Sequence, residues 1–165
     1  NRENGLLERM YCPETMSRYT GRKRWFMMGL SAGYHNLDDF RSGKRPCGAN
    51  ETFWLEQEER MFAIFRRVTE LGLLPVCGTD AGTGGTRFDE TWLELALMVR
   101  RGGLSEKEAI HIGTLQSAAC LGLEKQTGAI REGLSADLMA LEEDPFTHIE
   151  ALAHPAQVIC RGELV

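Results

Sequence analysis

The sequence predicts an α/β fold: a helix, a short buried strand and two more helices, followed by a small β-rich tail. Three observations carry this. Residues 52–71 place Leu55, Phe62, Phe65, Val68 and Leu71 at roughly helical spacing. The run Leu73-Leu74-Pro75-Val76-Cys77 is compact and apolar, and it stops abruptly at Gly78. From Gly128 onward the helical period gives way to short apolar pieces broken by glycine turns. The two halves meet near residue 125.

Residues 1–50 hold scattered aromatics, Pro13, Pro46 and several glycines with no clean period. They read as loops with one or two short helices. Asn50 or Thr52 can cap the helix over 52–71, and Gly72 can end it. The strand then covers 73–78. After the glycine-rich loop, Asp89 can cap a helix running to Arg101, with Leu93 and Leu97 on its inner face and Gly102-Gly103 as its stop. Ser105 followed by Glu108 is a capping box, in which each side chain satisfies a free backbone donor near the other. It opens a helix to about Leu121. In the tail, residues 129–131, 137–142 and 157–165 are predicted strands of a sheet separate from strand 73–78. There is no internal repeat and no low-complexity tract.

Composition narrows the function. With 42% hydrophobic and 26% charged residues and a net charge of −5, the chain reads as globular. That balance argues against broad nucleic-acid or anionic-membrane binding. The basic stretches "GRKRW" and "RSGKRP" are short and isolated, so they read as solvated loops. The cysteines, Cys12, Cys47, Cys77, Cys120 and Cys160, are odd in number and form no CxxC pair. Reduced thiols are expected, with Cys77 and Cys160 as small core residues, and a cytoplasmic location follows. No signal peptide or membrane-length apolar stretch is visible.

The chemical question centres on "LPVCGTDAGTGGT", residues 74–86. Asp80 follows a buried strand and is ringed by Gly78, Gly82, Gly84 and Gly85. An aspartate after a strand can simply cap a turn. In α/β folds, however, the carboxyl end of a strand is where sites are built, and glycines let a ligand come close. The loop is no phosphate cradle: it fits neither GxxxxGK[ST] nor GxGxxG. The order Thr-Asp-Ala-Gly also excludes an aspartic-protease motif. No two of His35, His111, His148 and His154 make an HxH or HExxH pair. His111 reads as a helix residue, and His148 and His154 as loop residues. His35, in "GYHNLDD", is the one histidine in a region able to fold over Asp80.

Taken in order, "GTDAG", a helix, "GLSEKEAI", Thr114 with "AACLGL", "TGAIREGLSADLMALEEDP" and "VICRGELV" resemble the C-terminal part of the amidohydrolase superfamily, over roughly residues 54–165. The resemblance is to the branch of imidazolonepropionase-like and prolidase-like metal-dependent hydrolases. One departure is Leu134, where the family pattern usually has Lys; it concerns a turn, not the chemistry.

The resemblance implies a (β/α)₈ TIM barrel with a small β-sandwich. On that reading residues 1–125 are the C-terminal portion of the barrel: 1–50 loop-rich, then the last βα unit and closing helices over 51–125, with strand 73–78 as the eighth barrel strand. Residues 126–165 are the C-terminal strands of the composite sandwich. It also implies a role for Asp80, which matches the family's strand-eight aspartate. That residue binds the metal or lies beside it, accepts a proton from the metal-bound water and passes it to the leaving group. Zinc is the expected metal. The family's other ligands match no residue here and would lie upstream of Asn1.

The expected function is hydrolysis of a C–N bond in a small amide, cyclic amide or peptide-like substrate, by a protein of which this chain is a C-terminal fragment. Arg87 can meet a substrate carboxylate, or it can pair with Glu90 on the surface; His35 is a second candidate substrate contact. Two rival readings stand beside this one. One is a non-catalytic α+β module that binds a partner; the other is half of a split enzyme. Alone, the chain is expected to be inactive and either dependent on the missing N-terminal part or homo-oligomeric, because a catalytic zinc typically takes three protein ligands and a full barrel about 250 residues.

Overall fold

The structure is a computed structural model that describes residues 12, 14–15, 18, 24–43, 51–82 and 86–165. Asn50 and most of the first fifty residues, the side chains of Thr52 and Leu55, and Gly84 and Gly85 lie outside the described residues. Grouped by internal contacts, the chain forms two compact units. One contains residues 1–75 and 79–88, the other residues 76–78 and 89–165.

In the first unit, strand β1 (Trp25–Phe26) is followed by helix α1 (Leu30–Arg41), helix α2 (Glu51–Glu70) and strand β2 (Leu74–Pro75). The two strands pair in parallel, Trp25 with Leu74 and Phe26 with Pro75. The expected strand 73–78 is thus shorter than its apolar run, because β1 offers only two partner residues. The expectation of mere loops and short helices before residue 50 also needs correction. A parallel strand and a twelve-residue helix stand there. Among the described side chains of α1 the buried hydrophobic residues are Leu30 and Leu37, seven apart.

Helix α2 is the core of this unit. Phe62, Phe65 and Val68 recur every three residues on one face and are buried, and the Phe65 ring packs on Phe26 at 5.7 Å. One turn earlier on that face Glu58 is also buried, and it receives the Arg41 guanidinium of α1 at 2.8 Å. The helix ends as expected at Gly72. Its N–H donates to Thr69 O at 2.9 Å and the next N–H, of Leu73, to Val68 O at 3.3 Å, while Gly72 takes φ +80°. This is the Schellman arrangement, which needs a left-handed residue and joins two apolar side chains across the stop, here Val68 and Leu73.

In the second unit, α3 (Thr91–Arg100) is buried without interruption from Leu93 to Met98. Its N-cap is Glu90, not the expected Asp89, and the Glu90 side chain makes no capping bond. The capping box at Ser105 and Glu108 forms as predicted. Ser105 N–H donates to Glu108 Oε2 at 2.8 Å, and Glu108 N–H donates to Ser105 Oγ at 3.3 Å. The helix it opens is not regular. It runs as α4 (Glu106–His111), widens to a π turn over Ile112–Gln116, and resumes as α5 (Ser117–Cys120).

The tail forms a three-stranded antiparallel sheet of β3 (Leu138–Ala140), β4 (Gln157–Cys160) and β5 (Glu163–Leu164), separate from β1–β2 as expected. A short 3₁₀ helix, Ile149–Ala153, lies in the β3–β4 connection and packs on α3, where Glu150 pairs with Arg100. Residues 129–131 are not a strand. Ile130 is 92% exposed, between left-handed turns at Gly128 and Gly133 that leave no length for a ladder. The expected strand 157–165 is split by a tight hairpin at Arg161-Gly162, whose φ values are +53° and +87°. Asp137 braces that hairpin by accepting Arg161 N–H at 2.9 Å and Thr127 Oγ1–H at 3.0 Å.

Gly128 has a separate reason to be glycine. A Cβ there would stand 2.8 Å from Ala118 Cβ and 3.0 Å from Leu115 Cα, because the chain crosses directly over the π turn and α5.

Two outcomes follow. Gly128→Ala meets backbone as well as strained φ and should destabilise the fold by about 1–3 kcal/mol in a denaturant titration. Ser105→Ala should cost about 1 kcal/mol near neutral pH. The Glu108 carboxyl is lowered below its ordinary 4.5 by the Ser105 amide and then by the Ser105 hydroxyl. A lowered acid adds stability above its unfolded pKa and loses it as pH falls through the folded one. The gap between Ser105→Ala and the parent, read from melts across pH, should therefore narrow below 4.5. A gap constant down to about pH 2 would contradict the assignment.

Candidate functional site

The chain leaves the sheet after Pro75 and runs through Val76, Cys77, Gly78 and Thr79 to Asp80 with no strand among the described residues beside it. Backbone polar groups out of reach of water need partners. Cys77 N–H finds one in a side chain: it donates to Ser117 Oγ at 3.1 Å. The Ser117 hydroxyl in turn donates to Ile112 O at 2.6 Å, five residues back across the π turn. Ser31, wholly buried at the start of α1, directs its hydroxyl to Thr79 O at 3.5 Å, the long limit of such a bond.

Asp80 itself is exposed and left-handed, with φ +56°. Few non-glycine residues take this conformation, and aspartate is among those that tolerate it. Beyond it, Gly82 N–H donates to Thr86 O at 3.0 Å, so the two ends of the glycine loop meet. The Thr86 hydroxyl is buried and has no hydrogen-bond partner among the described residues. Phe88 is 83% exposed, its ring edge close to Gly82.

Of the other residues singled out from sequence, Arg87 is exposed in the same loop as Asp80. His35 is half-buried on α1, its ring edge-on to Tyr34 at 6.1 Å. His111 ends α4 and is exposed, as a helix residue. His148 and His154 flank the 3₁₀ helix. His148 lies between two carboxylates, with Nδ1 2.7 Å from Glu143 and Nε2 3.3 Å from Glu150. Among the described residues no three His, Cys, Asp or Glu side chains converge to hold a metal ion. No described helix is long and apolar enough to cross a membrane.

Two residues that matter here escaped the sequence. Ser117 carries no signal beyond its place among small residues. Glu94 is fully buried on α3, and a buried carboxylate does not stand out in an amphipathic pattern. Cys160, expected in the core, is exposed, because β4 turns it outward; Cys77 is half-buried. Cys12, Cys77, Cys120 and Cys160 are all free thiols. Burial first, and the Glu94 charge second, push the Cys77 thiol up to about 12. The Cys12 thiol is lowered by hydrogen bonds from the Thr15 side chain and backbone. Among the described cysteines, iodoacetamide at mildly alkaline pH should thus alkylate Cys12 first and leave Cys77 untouched until the protein unfolds, as read by peptide mass spectrometry. Native-state labelling of Cys77 at the rate of Cys160 would contradict this.

Residues 56–165 match the model described as Amidohydrolase family. Over 95 residues the chain is 36% identical to ochratoxinase of Aspergillus niger, covering 57% of this chain and 19% of that protein. Over 107 residues it is 29% identical to imidazolonepropionase of Symbiobacterium thermophilum, covering 63% and 25%. A crystal structure of a Xaa-Pro dipeptidase with methionine bound in its active site superposes with a TM-score of 0.72 at 26% identity, covering 86% of this chain and 34% of that one. The chain spans about a fifth to a quarter of the length of the relatives it matches. With the greater part of its length inside the family model and an α/β fold shared with a solved member, the chain belongs to the amidohydrolase family.

Proposed function

We propose that this chain is the C-terminal part of a metal-dependent hydrolase that cleaves a C–N bond in a small amide, cyclic amide or peptide-like substrate. The observation that carries this reading is Asp80, an exposed carboxylate five residues beyond a parallel strand, in the order of motifs the family shares. Relatives of this chain bear enzyme names, one of them a dipeptidase.

In this reading β1 and β2 are the last two strands of a (β/α)₈ barrel. A parallel pair of two residues each is too small to stand alone, which supports more strands beside it. The sheet β3–β4–β5 is the C-terminal share of a sandwich, with residues 126–165 as that domain. Met139 and Val158 are paired across it and exposed, as is Val165, whose N–H bonds to Val158 O. That apolar face suits strands from the missing N-terminal part, or a second copy of the chain.

Members of the family generally use a divalent metal, here proposed as zinc, which when bound supplies a Lewis acid that acidifies water. Asp80 is one ligand or lies beside the metal, and the remaining ligands come from the missing part of the protein. The Asp80 carboxylate takes a proton from the attacking water as its oxygen bonds to the carbonyl carbon. It returns that proton to the nitrogen as the C–N bond breaks. Arg87 meets a substrate carboxylate from the same loop, and His35 contacts the substrate from α1. The location is cytoplasmic.

In the enzyme that carries this chain, Asp80→Asn should lower kcat by about 10²–10⁴-fold on a panel of N-acyl amino acids and dipeptides. Turnover within twofold of the parent would reject the role of Asp80. Residues 1–165 alone, dialysed against zinc, should show neither stoichiometric tight metal nor turnover. Turnover that vanishes in Asp80→Ala would overturn the fragment reading.

A further inference from the structure

We infer that Ser117 is a positioning residue for the Asp80 loop, acting through the backbone amide of Cys77. The inference rests on the proposed role of Asp80.

The geometry is specific. Ser117 is the first residue of α5, directly after the π turn. In a regular α-helix the Ile112 carbonyl takes an N–H from four residues on. Here it accepts from Ser117 twice, from the backbone N–H and from the hydroxyl at 2.6 Å. The extra residue in this turn is the kind of irregularity that marks functional positions in helices. Having given its proton to Ile112, the hydroxyl presents its lone pairs to Cys77 N–H at 3.1 Å. Donor and acceptor roles are thus both used, and the hydroxyl has little freedom to turn away.

The π turn is itself held tightly. A Cβ on Gly113 would stand 2.8 Å from Leu95 Cδ1 of α3, and one on Gly128 would meet Ala118 and Leu115 from the other side. Ser117 is therefore a rigid post rather than a mobile side chain. Its partner amide lies three residues before Asp80, in a stretch that pairs with no strand among the described residues. Removing the hydroxyl leaves the Cys77 N–H without its partner and frees the segment that leads to the carboxylate. A misplacement on the order of 1 Å at a reacting group costs about 10²-fold in rate.

The test uses the enzyme that carries this chain, with Ser117→Ala, Ser117→Thr and Asp80→Asn compared with the parent. Two readouts are taken: amide hydrogen exchange in the peptide over 76–80, and kcat with KM. Ser117→Ala should speed exchange in that peptide by at least about tenfold and lower kcat by roughly 10- to 100-fold, with KM within about twofold. Ser117→Thr keeps the hydroxyl and should restore both. A folded Ser117→Ala with parental exchange and parental kcat overturns the inference. So does an equal loss in Ser117→Ala and Ser117→Thr at matched melting temperature, because the hydroxyl would then be irrelevant. If Ser117→Ala fails to fold, Ser117→Thr and its isostere Ser117→Val are compared instead. Faster exchange in the valine variant alone supports the tether, and equal exchange in the two overturns it. Parental turnover in Asp80→Asn would defeat the functional reading by itself, while exchange at Cys77 still reports whether the tether exists.

Discussion

A chain that runs past the edge of its sheet must still satisfy its backbone, and much of this molecule answers that constraint. Between Pro75 and Asp80 no strand among the described residues lies alongside. The Cys77 amide turns to the Ser117 hydroxyl, and the Thr79 carbonyl faces the Ser31 hydroxyl. Two short polar side chains on helices do what a ladder would do. This arrangement leaves the following carboxylate exposed while the residues leading to it stay packed. Asp80 can then take a left-handed conformation without the rest of the strand end following it into solvent.

The same hydroxyl also bonds across the irregular turn of the helix after the capping box. Ser117 meets Cys77 directly after the turn over Ile112–Gln116, which is widened by one residue. That widening would be costly in isolation, since π turns lose good hydrogen-bond geometry. Its surroundings are close: Leu95 lies against Gly113, and the chain at Gly128 lies across Ala118 and Leu115. The glycine of the "TGAI" piece is therefore a packing residue for the helix beneath it, and its φ of +94° adds a second reason. A pattern in the tail and an irregularity in a helix turn out to be one feature.

Buried charge follows a related logic. Glu58 is almost fully hidden yet paired with Arg41, so α1 and α2 share an ion pair as well as an apolar seam. Such pairs gain little net stability, but breaking one leaves a stranded charge. Glu94 is wholly buried on a helix covered on every side. Its charge adds to burial in raising the pKa of the Cys77 thiol, the cysteine three residues before Asp80.

What the sequence determined by itself was whatever depends on neighbours a few residues apart. The three-residue recurrence of Phe62, Phe65 and Val68, the stop at Gly72 and the Ser105–Glu108 box are local bargains between adjacent turns, and each formed where its residues indicated. The separation of the tail sheet from the parallel pair was legible for the same reason, in the shift from helical period to glycine-broken pieces. The motif series that led to Asp80 could also be read in order along the chain. Tertiary structure alone decided the rest. The strand over 73–78 shrank to Leu74–Pro75 because strand length is set by the partner, and β1 offers two residues. Ile130 has the apolar look of a strand residue but stands in solvent between two turns. The length of α1 was hidden because Gly33, Asn36, Asp38 and Asp39 break up any clean apolar period in its sequence. Ser117 was invisible because a hydroxyl's importance lies in what stands opposite it, here an amide forty residues away in the chain.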